Sequence, residues 1–586
     1  MPAPFTTRPV YLGTHGVIAS GHYLAARAGQ RMFDRGGNAI DAAVASGFAL
    51  NVLEPQSNGI GGEVPILVYS AKHGKPFAIS GQGFAPKAAT VEWFRKHKID
   101  PIPGDGFLPA VVPAMFGSWA FALLRFGTLT LKDVLEPAID CTESGFPVYQ
   151  GLHDALARLA KRFRAEWPSS AEAYLPGGRA PAVGEVLRNK DWAATLKKVV
   201  EVESRERKRG REDAIQAAID YWYRGEPAER MVAFQAKTEV RDASGKKNHG
   251  LLTRADLAAW KPELDEPVAV RYRGLDVYKC GPWTQGPVFL QQLRLLEGFD
   301  LPKLGHNSAS YVHTVMEAAK LAYADREHYY GDPKFVEVPL QRLLSKEYAD
   351  ERRKLIDPKK ASLEMRPGGG AKHLPEEQEV SGPDPSGWEP YRGDTTHTCA
   401  ADAKGNLMAA TCSGGWLPSS PVVPGLGFPL GTRGQLFYLD PHHPNCLRPH
   451  KRPRTTLTPS LVLKGGKPWM VFGTPGGDQQ DQWTLQFFLN YVDFGMNLQE
   501  ALDKPTFHTT HFPSSFYPHD AHPGQVVLEA RIPEATRKEL EARGHKVKVT
   551  GDWSNGKVMA VRLDAKSGVL SGAVSPRGQI GYVAGG

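Results

Sequence analysis

The chain has 586 residues, more than one hydrophobic core sustains, so two or more packed units are expected. Its hydrophobic share of 41% and charged share of 23% are ordinary, which excludes collagen-like, coiled-coil and disordered classes. A net charge of +8 invites a nucleic-acid partner, but the basic residues are scattered, and the densest cluster, residues 203–212, interleaves them with Glu as on a solvated helix.

The cysteines, Cys141, Cys280, Cys399, Cys412 and Cys446, are far apart and odd in number, so neither a disulfide framework nor a metal site is expected. No run approaches the length of a membrane span, and residues 1–8 lack the charged start and apolar stretch of a secretion signal. The expected compartment is the cytoplasm, or the periplasm where an export signal has been removed. Neither nucleic acid nor membrane is an expected partner, and no cofactor is implied.

Along the chain, residues 17–20 read as a strand and Tyr23 to Arg35 as a helix ended by Gly36-Gly37. Asn38 then caps a helix from Ala39 to Val52 that is small and apolar on nearly every face, so it should be buried. The glycine loop at residues 54–63 feeds a strand over 65–69, and no Lys-Ser or Lys-Thr follows as a phosphate loop requires. Residues 110–350 read mostly as helices, for example 114–126 and 309–330, and suit outer layers and a helical lobe. From Asp357 to Asp394 the chain turns polar and rich in Gly and Pro, the composition of an exposed loop.

Two short β-type runs follow, 398–401 and 407–411, joined by Ala-Lys-Gly-Asn turn chemistry, and the first of these strands begins at Thr395. A threonine hydroxyl is a weak nucleophile unless a base sits beside it, and a threonine's own α-amino group serves once the chain is cut before it. Thr395-Thr396 also suits an ordinary strand opening, since threonine favours strands. A second hairpin is expected over 460–463 and 469–472, a helix over 482–492, and strands over 525–528, 546–549 and 559–562.

Several stretches, in one order, resemble the γ-glutamyltransferase (γ-glutamyltranspeptidase) family of N-terminal-nucleophile hydrolases. They are residues 35–45, 54–62, 85–90, 322–326 with 331–333, Thr395-Thr396-His397, and Gly473-Thr474-Pro475-Gly476-Gly477. The resemblance implies an α/β, four-layer αββα sandwich with a helical lobe. It implies self-cleavage between Asp394 and Thr395, giving a large segment, 1–394, and a small segment, 395–586, that stay associated. Higher oligomers are compatible with it. It further implies that Gly476 and Gly477 form the oxyanion loop, that Ser413 stands where the family has a supporting threonine hydroxyl, and that Thr455 and Thr456 match a serine pair contacting the substrate's carboxyl end.

Substrate contacts depart from the family pattern. Gln82 occupies the position of an arginine that grips the glutamyl α-carboxylate, Leu436 that of an acid that grips the α-amino group, and Gly415 that of an asparagine. An amide cannot replace a bidentate guanidinium, and each lost charge-assisted contact costs ~1.5–3 kcal/mol. Arg433 is the new charge in that region, read either as a substrate-carboxylate partner or as half of a structural ion pair. The loop at 441–449 could cover the site, with His442 and His443 read as solvated and not as metal ligands.

The expected activity is thus that of an amidohydrolase or acyltransferase on a small amide bearing a carboxylate, oxamate-like or a bulkier acyl amide of the cephalosporin side-chain type. The alternatives are ordinary γ-glutamyl transfer or glutathione hydrolysis with an altered pocket, and an unprocessed binding relative.

Overall fold

The computed structural model describes residues 5–369, 394–578 and 580–586. Two seven-stranded antiparallel sheets face one another. The first runs in the order Tyr582–Gly585, Gly16–Ser20, Thr395–Asp402, Leu407–Ser413, Ile66–Ser70, Lys75–Ile79 and Leu264–Asp265. The second runs Tyr11–Gly13, Leu570–Val574, Met559–Leu563, Lys467–Gly473, Ser460–Lys464, Leu275–Lys279 and Val268–Tyr272.

The two-residue period of the strands sorts their side chains between layers. Ala19, Leu67, Cys399, Ala401, Leu407 and Ala409 of the first sheet meet Leu461, Val471, Met559, Val561 and Leu570 of the second in a core between the sheets. The alternate residues, Ile18, Ala400, Met408 and Ala410, turn outward onto helices such as Ala39–Leu53 and Met115–Phe126. The other sheet's outer face, Val462, Met470 and Phe472 among its residues, packs on Gly286–Leu296, Ala309–Tyr329 and Gln480–Val492. The result is the four-layer αββα sandwich expected from the sequence. Helices over 150–237 extend the first outer layer into the helical lobe.

Ala39–Leu53 is buried along its whole length, as its all-round apolar character requires. Its N-terminus carries a capping box between Asn38 and Asp41, and its first helical amide, that of Ala39, donates to Asp402 Oδ2 (2.9 Å) at the end of the strand Thr395–Asp402.

Three expectations need correction. The 110–350 region holds the hairpin Val268–Tyr272 and Leu275–Lys279, which completes one sheet and is turned by Arg273 (φ 47°) and Gly274 (φ 81°). The charged cluster at 203–212 is broken at Gly210, and Glu203 is buried, accepting from the amides of Leu131 (2.8 Å) and Lys132 (3.1 Å) at the start of a neighbouring helix. His443 is buried and stacked on Tyr438 with ring centroids 3.8 Å apart, whereas His442 is exposed. Most of the 357–394 loop lies outside the described residues. Gly368, inside them, is anchored by its amide on Asp325 Oδ1 (2.8 Å).

Candidate functional site

Thr395 opens its strand directly opposite Ser413, and both are buried. The parity of the strand places Thr395 on the same side as His397, Cys399 and Ala401, facing the second sheet. Thr395 Oγ1 donates to Ser413 Oγ (3.1 Å), and Ser413 Oγ donates to the carbonyl of Asp394 (3.0 Å). The hydroxyl of Thr395 and the carbonyl before it are therefore joined by one serine. Asp394 turns its side chain back: Oδ1 accepts from the Thr395 amide (2.9 Å) and Oδ2 pairs with Lys557 Nζ (3.0 Å).

On the opposite side of the strand, Thr396 Oγ1 donates to Glu54 Oε2 (2.5 Å) at the C-terminal cap of Ala39–Leu53. Burial pushes the Glu54 carboxyl up to about 7, against the pull of the Thr396 hydroxyl and Lys557. His397 is fully buried with Nδ1 2.8 Å from Thr411 Oγ1, and burial lowers it to about 3, so it is held neutral.

The strand Lys467–Gly473 ends over this point. A Cβ on Gly473 would stand 2.2 Å from the His397 ring, so glycine lets the two sheets approach here. The loop that follows turns through Gly476 (φ 127°) and Gly477 (φ 57°), conformations that favour glycine. Beneath it, Arg326 pairs with Asp478 and Glu327 and donates to Gln285 Oε1 (2.9 Å), while Tyr323 Oη donates to the Asp478 carbonyl. Residues 322–326 thus act as the buried foundation of the glycine turn. Asp478 also accepts from Ser515, through the amide (2.8 Å) and hydroxyl (2.6 Å).

Arg433 is fully buried and pairs through Nε with Glu63, whose backbone exchanges two hydrogen bonds with Ser413. The ion-pair reading of Arg433 is therefore the one the contacts show. Its Nε is committed to an ion pair, yet Nη1 and Nη2 have no hydrogen-bond partner among the described residues. The guanidinium lies between the rings of Trp416 (5.1 Å) and Phe516 (5.3 Å), and a Cβ on Gly477 would reach 3.1 Å from that same Phe516 ring. Burial raises Glu63 to about 7 with Arg433 opposing, and its Oε2 also has no partner among the described residues.

Gln82 is buried, with Oε1 unpartnered among the described residues and Nε2 3.5 Å from the Gly83 carbonyl. Leu436 is buried and offers no charge. Thr455 joins the loop region through backbone bonds to Trp283 and Gln285, whose side-chain amide reaches the Gly477 and Asp478 carbonyls (3.5 and 3.3 Å). Thr456 Oγ1 is buried without a partner among the described residues. Gly415 (φ 57°) packs where a Cβ would stand 2.7 Å from the Gly62 amide nitrogen, so the 54–63 glycine loop serves close packing on Gly414-Gly415.

The geometry thus brings together Asp394, Thr395, Ser413 and Arg433, with the Gly476-Gly477 loop packed against the same elements. It adds Glu54, Glu63, Lys557, Trp416 and Phe516, which sequence reasoning missed. Glu54 and Glu63 flank the glycine loop and could have been noticed there, whereas Lys557 carries no sequence signal. No metal cluster lies at this site among the described residues; the His313, Glu317 and His545 group lies elsewhere, and Glu317 is already paired with Lys320 (2.6 Å) and Arg366 (2.9 Å). No helix of the described residues is long and apolar enough to cross a membrane.

The profile of the family described as Gamma-glutamyltranspeptidase matches residues 25–585. The glutathione hydrolase-like YwrD proenzyme of Bacillus subtilis (strain 168) is 32% identical over 573 residues, covering 97% of this chain and 98% of the relative. A solved structure of LmbA2991HD is similar with a TM-score of 0.93 and 45% identity, covering 100% of both chains. The cephalosporin acylase from Bacillus halodurans follows, with a TM-score of 0.84, 34% identity and coverage of 100% and 98%. With its αββα layers, the chain belongs to the gamma-glutamyltranspeptidase family and is a hydrolase or acylase of the N-terminal-nucleophile type.

Proposed function

We propose that the chain cuts itself before Thr395 and then hydrolyses amides whose acyl group carries a carboxylate and lacks an α-amino group. In the first step Thr395 Oγ1 bonds to the Asp394 carbonyl carbon while the Ser413 hydroxyl donates to that carbonyl's oxygen, the C–N bond breaks, and the Thr395 hydroxyl proton ends on the leaving nitrogen. Water then hydrolyses the ester, freeing the Asp394 α-carboxylate and the Thr395 amine and hydroxyl. The hydrogen-bond chain Thr395, Ser413, Asp394 carbonyl supports this order. The large segment, 1–394, and the small one, 395–586, are the products.

In turnover the Thr395 amine, with an ordinary pKa near ~8, takes the hydroxyl proton as Oγ1 attacks the substrate carbonyl. The proton goes on to the leaving amine, and water releases the acid. Gly476 and Gly477 are assigned the oxyanion, where one such donor is typically worth ~10²–10³ in rate.

The observation that carries the substrate reading is Arg433, buried between two rings with two terminal nitrogens left to a ligand. A planar carboxylate meets such a fork in two charge-assisted bonds. Leu436 supplies no charge for an α-amino group, and Gln82 supplies none for an α-carboxylate. Relatives named as acylases favour the same reading. A second reading, a γ-glutamyl donor, is favoured by the unpartnered Oε2 of Glu63, an acceptor suited to an ammonium group beside the arginine.

One comparison separates them, because glutaryl-p-nitroanilide and γ-glutamyl-p-nitroanilide differ only in the α-amino group. We expect kcat/KM at least ~10²-fold higher for the glutaryl amide, a difference of about 2.7 kcal/mol. A γ-glutamyl preference establishes the second reading. No turnover, with a single band at 64.1 kDa on a denaturing gel, establishes an unprocessed binding protein.

A further inference from the structure

Lys557 stands out among the charged groups around the nucleophile because nothing in the reaction just described uses it. Its Nζ pairs with Asp394 Oδ2 (3.0 Å), and the same carboxylate accepts the Thr395 amide through Oδ1 (2.9 Å). Both nitrogens touch one carboxylate, so they lie no more than about 8 Å apart. The position is built in. The Lys557 amide donates to Thr474 Oγ1 (3.0 Å) at the root of the glycine loop, and a Cβ on Gly578 would meet Lys557 Cδ and Cε at 3.0 Å, so the lysine stem lies in a glycine-floored seat.

Cleavage before Thr395 changes what Lys557 faces. The amide nitrogen becomes an amine, and Asp394 becomes a free chain end, no longer covalently held between lysine and nucleophile. We propose that Lys557 is a positioning residue with two successive tasks: it seats Asp394 for self-cleavage, and in the processed enzyme its charge lowers the proton affinity of the Thr395 amine so that this amine is the free base near neutral pH. The inference rests on Thr395 becoming a chain terminus.

Four other titratable groups among the described residues lie near this strand. Glu54 lies on the Thr396 side of the strand and is pushed toward its neutral form by burial. Glu63 is tied to Arg433 beyond Ser413. His397 is neutral, and the Cys412 thiol is held protonated by burial. Among the described residues, Lys557 is the cation that pairs with Asp394. One positive charge at about 8 Å, across effective dielectrics of about 20 to 80, lowers an amine's pKa by roughly 0.4 to 1.5 units. With its side chain about half exposed, a shift of about one pH unit is expected.

The Thr395 amine can be titrated without any substrate, because cyanate carbamoylates only unprotonated amines. The rate is read against pH from the mass of the amino-terminal peptide of the small segment, in the full processed protein. In Lys557→Gln the midpoint should rise by about one pH unit, and Lys557→Arg should restore it. Self-cleavage of freshly made Lys557→Gln should also be slowed at least about tenfold. An unchanged midpoint in a cleaved Lys557→Gln protein overturns the inference while leaving the N-terminal-threonine reading intact. If the wild-type small segment does not begin at Thr395, both fall. Where Lys557→Gln yields too little cleaved protein, the wild type decides: its midpoint must rise as salt increases from 0.05 to 1 M, since salt screens an exposed lysine, and a salt-independent midpoint overturns the inference.

Discussion

Glu54 is a carboxyl that the fold keeps protonated: enclosed at a helix cap and bonded to Thr396, it titrates near 7 and not at the usual 4.5. A carboxyl raised by folding adds stability that is fully present below its ordinary pKa and is lost as pH climbs through its folded value. The unprocessed chain should thus lose roughly 3 kcal/mol at this residue between pH 4.5 and pH 9. Glu54→Gln keeps an oxygen for Thr396 but cannot titrate. Made in a Thr395→Ala chain, which should itself remain in one piece, it is expected to flatten the alkaline fall in melting temperature and to change little at pH 5. An equal alkaline fall in both chains would show that Glu54 is ionised in the fold. At the same scale, Arg433→Lys retains the charge facing Glu63 but loses the fork, and should cut kcat/KM for a glutaryl amide at least tenfold while lowering γ-glutamyl turnover less. An unchanged kcat/KM on both amides would remove Arg433 from acyl recognition.

Among the elements, those read correctly from sequence are those whose pattern is local. The Ala39–Leu53 helix announces itself by Asn38 and an unbroken apolar surface, and the hairpin at 460–473 by its Gly465-Gly466 turn. The Val268–Tyr272 and Leu275–Lys279 hairpin alternates in the same way, but it is embedded between helices and turned by Arg273-Gly274, a weaker turn signal. Contiguous motifs, as at Thr395 and Gly476-Gly477, are what sequence reasoning could single out as candidates. The site was illegible where partners are distant: Lys557 meets Asp394 from 163 residues away, and Glu63 meets Arg433 from 370. The missing family asparagine at Gly415 also has a structural cause, because a side chain there would drive into the Gly61-Gly62 backbone. Gly415→Asn is therefore expected to destabilise by at least ~2 kcal/mol and not to restore γ-glutamyl binding. Gly477→Val, facing Phe516 at a positive φ, should abolish turnover and lower stability by about 1–3 kcal/mol; near-normal turnover would mean that the oxyanion is held elsewhere.

For the whole molecule, the decisive fact is how the two segments interleave. In one sheet the strands of the small segment, Thr395–Asp402 and Leu407–Ser413, lie between Gly16–Ser20 and Ile66–Ser70 of the large one, with Tyr582–Gly585 closing the edge beyond Gly16–Ser20. In the other, Ser460–Lys464 pairs with Leu275–Lys279, and Leu570–Val574 with Tyr11–Gly13. Separating the segments would break ladder hydrogen bonds in both sheets and expose the core between them, where Ala19 and Leu67 of one segment meet Val471 and Val561 of the other. Cleavage before Thr395 should thus cut one covalent bond without creating two bodies. On size exclusion in native buffer the processed protein should elute as one species, and the fragments should part only in denaturant, across a single cooperative transition seen alike by tryptophan fluorescence and by circular dichroism. Native elution of a free 395–586 fragment, or two separated transitions, would show that the sheets are held by less than this pairing.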